Sequence, residues 1–230
     1  MRRFLFGCMA AAVALTLVSA NTQAGYVPLP TKLDSFVLAN GLTNGNFTTV
    51  NAGALTFSDF KYTQTTGAPP VASGINVSEF AIGNEHGLTF NGAFVAAPST
   101  VQDWSIEYTV TATTGLITDA YLSATGSSFG TDGGYTIGES YYNAATGALL
   151  GKLTANAILD GLTIDFAGVK SVRVHKDIAV FGGSAGYSLS FINQGFSTTA
   201  IPEPASMALL GIGLSGLVTF RRFFRRSSIA

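Results

Sequence analysis

The sequence predicts an all-β protein, in which an antiparallel β-sandwich or jelly-roll-like domain lies between two end segments of different composition. Apolar residues recur with a period of two across residues 25–199, and no stretch there has the spacing of an amphipathic helix. Turns rich in glycine or asparagine separate these runs, and the 230 residues include 27 glycines. Charged residues make up only 11% of the chain and hydrophobic residues 47%, which is typical of a folded domain and not of a disordered one.

The first residues have the pattern of a secretory signal peptide. Two arginines near the start precede an apolar run over residues 4–18, and small residues then offer a cleavage site. Because this run is short for a membrane span, we expect cleavage rather than anchoring. The preferred cut lies between Ala24 and Gly25, with Ala20 as the alternative, so residues 1–24 are predicted to be removed.

The middle of the chain, residues 25–199, is predicted to form about ten short strands. Alternation is clearest over residues 104–113, where Ile106, Tyr108, Val110 and Ala112 share one face and Ser105, Glu107, Thr109 and Thr111 share the other. The same period recurs over residues 162–166, 172–175 and 187–191, and Tyr187, Leu189 and Phe191 are predicted to share an apolar face. Further strands are predicted near residues 55–63, 75–80, 87–94, 120–124 and 135–142.

Charge is strongly segregated along the chain. Six of the twelve basic residues lie in the two ends, so that residues 25–200 hold six lysines and arginines against twelve acidic residues. Nucleic acid is not an expected partner, because phosphate binding needs clustered Lys and Arg. The one cysteine, Cys8, falls in the predicted signal peptide, so the mature protein is expected to contain no disulfide.

The C-terminal residues 200–226 form a second targeting segment. They run from Pro202, Glu203 and Pro204 through an apolar stretch at 205–220 to Arg221, Arg222, Arg225 and Arg226. The prolines fix φ and lack a donor, so the tripeptide is expected to stay extended ahead of a helix. The apolar stretch is just long enough for a transmembrane helix, and the arginines are expected to keep its end in the cytoplasm.

This order of features resembles the PEP-CTERM sorting signal, which exosortases of Gram-negative bacteria recognise and cleave. The resemblance implies export through the inner membrane, a transient membrane anchor and release to the cell surface or the extracellular space. It names an exosortase and the membrane as the partners of the tail. Residues 53–198 are in turn similar to an uncharacterised all-β type of PEP-CTERM ectodomain, through residues 55–60, 117–120 and 176–184. That second resemblance implies a fold and no catalytic residues.

Residues with the chemistry of active sites are sparse. The two histidines, His86 and His175, lie far apart and lack metal-ligand spacing, so we predict no metal site and no cofactor. Glu85 precedes His86, but neighbours on a strand point to opposite faces and do not make an acid–base pair. Carboxylate pairs suited to glycoside hydrolysis depend on the fold and stay open at this stage. No catalytic residue is predicted.

Two glycine-rich segments could be interpreted as a phosphate-binding loop and a Ca²⁺ site, but a structural explanation is simpler for each. Residues 182–186 lie between two predicted strands and are expected to form a hairpin turn, not a phosphate loop. Residues 130–134 offer a single carboxylate, Asp132, whereas Ca²⁺ takes six to eight oxygen ligands.

Other segments suit a surface that binds sugars or ice, and again allow a structural interpretation. Thr109, Thr111 and Thr113 form a row on one strand, which solvent exposure explains. Residues 40–41 and 44–47 contain Asn-Gly, the signal of a tight turn, although some carbohydrate-binding sandwiches open in a similar way. Trp104 could stack on a sugar ring or pack in the core, and the core is favoured.

The predicted function is that of an exported surface or matrix protein, not an enzyme. An exosortase would sort and cut it, and the ectodomain would serve a structural or adhesive role in exopolysaccharide. The alternative is a glycan-binding module, with Ca²⁺ as an open option, and a polysaccharide-active enzyme comes third.

Overall fold

The computed structural model describes residues 29–37, 48–50, 55–64, 69–199 and 210–217. Within these residues there are thirteen strands: β1 (Thr31–Lys32), β2 (Thr48–Val50), β3 (Leu55–Gln64), β4 (Asn76–Ile82), β5 (Glu85–Ala96), β6 (Val101–Ala112), β7 (Leu116–Ser128), β8 (Gly134–Asn143), β9 (Leu149–Asn156), β10 (Leu162–Val169), β11 (Ser171–Phe181), β12 (Tyr187–Phe196) and β13 (Thr198–Thr199). Short 3-10 turns lie at Leu33–Ser35 and Ala72–Gly74.

The strands form two antiparallel sheets that pack face to face as an open sandwich. Sheet I has the order β1-β4-β5-β12-β7-β10, with β13 also paired to β7, and sheet II has the order β2-β3-β6-β11-β8-β9. The predicted all-β antiparallel sandwich is confirmed. Most strands bury one face and leave the other open to solvent, which is why a period of two marked them in the sequence.

The strand β6 has the phase that the sequence predicted. Its residues Trp104, Ile106, Tyr108, Val110 and Ala112 are all buried. They point at sheet I, while Ser105, Glu107, Thr109 and Thr111 lie on the outer face and are only half-buried. The strand β11 pairs with β6 over its whole length and shows the same alternation.

The predicted phase of β12 is wrong beyond Leu189. A β-bulge lies between Leu189 and Phe191, and an extra residue there reverses which side chains face the core. Phe191 is therefore exposed, and Ile192 takes the buried position that alternation had given to Phe191.

The predicted hairpin at residues 182–186 is also wrong, although the turn itself is present. It joins β11 of sheet II to β12 of sheet I and so forms a corner between the sheets. The Gly182 N–H donates to the Thr100 carbonyl at 2.9 Å, which fastens the corner to the segment before β6. A side chain at Gly182 would place Cβ only 1.8 Å from the Ala97 carbonyl oxygen, so glycine is required there.

Aromatic rings fill the centre of the sandwich. Tyr108 stacks on Phe60 with ring centroids 5.3 Å apart and lies 5.9 Å from Phe57 and 6.0 Å from Phe90. Phe36, from the segment before β2, stacks on Phe60 at 4.8 Å. The N-terminal described residues thus belong to the same core as the sheets.

Both targeting ends lie mainly outside the described residues. This holds for residues 1–24, for Ala24 and Gly25 at the predicted cleavage site, and for the sorting tripeptide and the basic cluster. Residues 210–217 of the predicted span are helical. No helix among the described residues has both the length and the apolar character that crossing a membrane requires.

Candidate functional site

The described part of the C-terminal tail is an exposed apolar helix. Its side chains include Leu210, Ile212, Leu214 and Leu217, all of them largely open to solvent. The Ser215 hydroxyl donates to the carbonyl of Gly211 one turn earlier. Such a back-bond satisfies the hydroxyl within the helix itself, as a polar side chain in an apolar helix requires.

A group of charged and polar side chains lies inside the sandwich. Lys176 of β11 and Glu139 of β8 are register partners on neighbouring strands, and both side chains point between the sheets. Lys176 is 0% exposed and Glu139 2% exposed, and the Lys176 ammonium contacts the Glu139 carboxylate. Complete burial lowers the pKa of Lys176 well below its usual value, because the charged form loses its hydration.

Residues of both sheets complete this group. From β12 of sheet I, the Gln194 carboxamide oxygen accepts from Lys176 Nζ at 3.0 Å. Gln194 Nε2 donates to the Tyr121 carbonyl at 2.9 Å and to the Tyr141 hydroxyl at 3.3 Å. The Tyr141 hydroxyl in turn donates to the second carboxylate oxygen of Glu139. We call Lys176, Glu139, Gln194 and Tyr141 the buried polar cluster.

Sequence reasoning missed the buried polar cluster, although the sequence carried a signal for it. Lys176 occupies an inward position of β11, between the buried Val174 and Ile178. Glu139 likewise occupies an inward position of β8, whereas Gln194 is inward only because of the bulge in β12 and carried no such signal. A polar residue in phase with the apolar face of a strand predicts a buried polar group, and such groups need partners.

An open groove lies at one end of sheet II, where β8 begins and β9 and β11 end. Its lining includes Asp132, Tyr135, Thr136, Asn156, Ile158 and Phe181. Ile158 is 98% exposed and Phe181 39% exposed, so apolar surface faces solvent beside carboxylate, amide and hydroxyl groups. We call this feature the end groove.

Asp132 at the end groove is occupied by a contact within the protein. Its Oδ1 accepts from the Ser184 N–H at 2.9 Å and from the Ser184 hydroxyl at 2.7 Å. These two bonds lower the pKa of Asp132. They tie the loop before β8 to the corner at 182–186, which gives this carboxylate a structural role.

Three acidic side chains lie on neighbouring parts of sheet I, on β5, β7 and β10. Glu85 Oε1 accepts from the Ser197 hydroxyl at 3.1 Å, and Asp119 Oδ1 accepts from the Ser197 N–H at 2.7 Å. Asp165 is the register partner of Asp119. Burial, and then the negative charges of Asp119 and Asp165, raise the pKa of Glu85 to about 7 against the lowering effect of Ser197.

The remaining candidates occupy positions with structural explanations. Trp104 is 1% exposed and packs edge-on against Phe94 at 5.3 Å, so the expectation of core packing is confirmed. His175 is exposed on the outer face of sheet II, as predicted, with Nε2 3.6 Å from Glu107. Thr113 lies beyond the end of β6, so the threonine row is limited to Thr109 and Thr111 on that strand.

Among the described residues, no group of three or more His, Cys, Asp or Glu side chains is arranged to hold a metal ion. The asparagines at 40, 44 and 46, part of the possible carbohydrate-binding signature, lie outside that part of the chain.

Comparison with protein families assigns the C-terminal segment. Residues 200–226 match the model of the PEP-CTERM protein-sorting motif. The chain carries a PEP-CTERM sorting motif. The resemblance stated from the sequence is thereby confirmed, and the motif indicates export and membrane-associated sorting in a Gram-negative bacterium. Pro202, Glu203 and Pro204 lie near the start of the matched residues, and the four arginines lie at their end.

The ectodomain has weaker relationships than the PEP-CTERM tail. A search of curated proteins found no significant match to the chain. Among solved structures, the structure of TmCBM61 in complex with beta-1,4-galactotriose is 9% identical and covers 76% of this chain and 99% of that chain, with a TM-score of 0.33.

Proposed function

We propose that the protein is an exosortase substrate whose β-sandwich is delivered to the cell surface or the extracellular matrix as a structural component. The single observation that carries this proposal is the PEP-CTERM motif at residues 200–226. In this proposal residues 1–24 direct export, the segment at 205–220 anchors the chain transiently, and the exosortase cuts near Pro202, Glu203 and Pro204. The released sandwich is not an enzyme and associates with exopolysaccharide.

The cut is tested by mass spectrometry of the protein isolated from its producer. We expect a C-terminus near residues 202–204 and loss of the four arginines. The variant E203A, which keeps both prolines, should retain the arginine cluster and stay in the membrane fraction. S228A changes a residue outside the matched segment and serves as the control with normal processing. Retention of the arginine tail in all wild-type molecules would contradict the proposal.

A second candidate function is glycan binding at the end groove. The observation in its favour is the exposed Phe181 ring next to Asn156 and Thr136, since sugars bind where an aromatic surface meets amide and hydroxyl groups. The buried Trp104 takes no part in this arrangement.

Calorimetry of the full chain against the producer's own exopolysaccharide tests this second function, with and without Ca²⁺. The variant F181A should weaken binding about tenfold, which corresponds to roughly 1.4 kcal/mol. F191A removes another half-exposed ring, on the opposite sheet, and should bind like the wild type. Equal loss in both variants, or no heat with any sample, would reject the end groove as the glycan site.

A further inference from the structure

The buried polar cluster brings an amine and a carboxamide together across the core. Lys176 belongs to sheet II and Gln194 to sheet I, and Nζ lies 3.0 Å from the amide oxygen Oε1. The amide carbon Cδ is bonded to that oxygen, so the amine already contacts the carbonyl group that it would attack. Both side chains are fully buried, so bulk water does not compete for the hydrogen bond between them.

We propose that Lys176 and Gln194 form an intramolecular isopeptide bond that joins the two sheets covalently. The bond links Lys176 Nζ to Cδ of Gln194 and releases one molecule of ammonia. Glu139 and Tyr141 are the catalytic residues. Glu139 contacts Lys176 Nζ, which loses a proton, and Tyr141 contacts Gln194 Nε2, which gains one. The bond belongs to the folded domain and takes no part in sorting by the tail.

The reaction balances without a co-reactant. With the proton of the buried pair on Glu139, the neutral amine attacks Cδ, a C–N bond forms and the carbonyl π bond opens. Glu139 passes its proton through the Tyr141 hydroxyl to Nε2 of Gln194 and takes a proton from Nζ. The bond from Cδ to Nε2 then breaks, the carbonyl forms again and ammonia leaves. Nothing is oxidised or reduced.

The surroundings of the cluster favour this chemistry. Burial lowers the pKa of Lys176, which favours the neutral amine that an acyl transfer needs. On the other side of Lys176, the register partner in β6 is the buried Ile106, which excludes water from that direction. Tyr141 bridges Glu139 and Gln194 by hydrogen bonds, and the same bridge carries the proton to Nε2 when the Tyr141 hydroxyl turns to donate to Gln194.

The bond would supply a cross-link that the ectodomain otherwise lacks. The one cysteine of the whole chain, Cys8, lies in the predicted signal peptide, so no disulfide can join the sheets. Lys176 and Gln194 are 18 residues apart and flank the corner that connects β11 to β12. A covalent bond there would hold the two sheets together in an extracellular protein exposed to proteases.

Peptide mapping of the denatured full chain tests the bond. Trypsin should fail to cut after Lys176, and the peptide that holds both residues should weigh one ammonia less than its sequence predicts. A protease that cuts after Phe181, Tyr187 and Phe191 should leave two peptides joined. Free Lys176 and Gln194 side chains in the folded protein would overturn the proposal, as would a bond from Lys176 to Glu139 with loss of water.

Variants separate the chemistry from the fold. K176M and Q194M should be unlinked, and K152M, which changes an exposed lysine of β9, should link like the wild type. E139Q keeps the shape of its side chain and should fold without linking, as judged by circular dichroism and by the peptide map. Y141F should slow bond formation roughly a hundredfold. Full linkage at the wild-type rate in folded E139Q would overturn the assigned role of Glu139.

Discussion

Two tyrosines of the core differ in what their hydroxyl groups contact. The Tyr141 hydroxyl bonds to Glu139 and Gln194, whereas the buried Tyr108 hydroxyl finds no hydrogen-bond partner among the described residues. A buried polar atom without a partner costs free energy, and removing one partner of a bonded pair costs about 1–3 kcal/mol. The same substitution, tyrosine to phenylalanine, should therefore affect stability differently at the two positions.

We predict that Y108F leaves the free energy of unfolding unchanged or raises it by up to about 1 kcal/mol, because it removes only the unpartnered hydroxyl. Y141F should lower the same quantity by about 1–3 kcal/mol, because Glu139 loses a buried donor. Urea unfolding followed by circular dichroism measures both. A larger loss in Y108F than in Y141F would contradict the hydrogen-bond assignment.

At the residue scale, the sequence predicted which side chains are buried better than it predicted which side chains contact each other. Alternation correctly buried Tyr108 and Val174, because a period of two follows from strand geometry alone. The partnership of Lys176 with Gln194 depends on how two sheets pack, and no spacing along one strand contains that information. The inward position of Lys176 was readable from the sequence, but its partners were not.

At the scale of elements, the corner between β11 and β12 depends on the absence of a side chain at Gly182. A Cβ atom there would meet the carbonyl oxygen of Ala97 at 1.8 Å and that of Ala96 at 3.0 Å. Neither contact can be relieved by rotating a side chain, since both neighbours are backbone atoms. We predict that G182A lowers the free energy of unfolding by roughly 1–3 kcal/mol or more.

G138A in the middle of β8 is the matched control for this prediction. A Cβ atom there would have no atom within 4 Å. The substitution should be neutral or should stabilise the protein by about 0.5–1 kcal/mol, because alanine loses less backbone entropy on folding. Thermal unfolding of both variants gives the comparison, and equal midpoints would show that the corner tolerates a side chain.

The strands that the sequence predicted with their correct phase are those with an uninterrupted period of two. The strand β6 was predicted with its phase, and β11 follows the same rule. The strand β9 was missed, because Gly151 and the exposed Lys152 interrupt its pattern and only Ala155 is fully buried. The bulge in β12 was missed because an extra residue shifts the register without a local sequence signal such as glycine or proline.

At the scale of the whole molecule, the sorting signal and the candidate sites of the sandwich lie in separate parts of the chain. The sorting signal is a short linear motif in the tail, so the sequence was sufficient to identify it. The end groove arises where the ends of three strands, β8, β9 and β11, meet, and the buried polar cluster arises from the packing of the two sheets. Features of this kind require the folded structure, and the composition indicated only that the domain is acidic.

The acidity of the domain leads to a prediction about pH. The pKa of Glu85 in the folded protein is about 7, raised by burial and by Asp119 and Asp165, and its ordinary value is 4.5. Between these two values the folded state binds more protons than the unfolded state, so the free energy of unfolding falls as the pH rises from about 4.5 to 7.

We therefore predict that E85Q stabilises the protein above pH 7 and has no such advantage near pH 4.5, because glutamine has no charge to desolvate. Solvent screening of this half-buried group limits the expected gain to about 1 kcal/mol. Urea unfolding at pH 5 and pH 8 measures the difference. E79Q removes an exposed carboxylate on β4 and so controls for the loss of one negative charge. If E79Q gains as much as E85Q at pH 8, the effect comes from net charge and not from the contacts of Glu85.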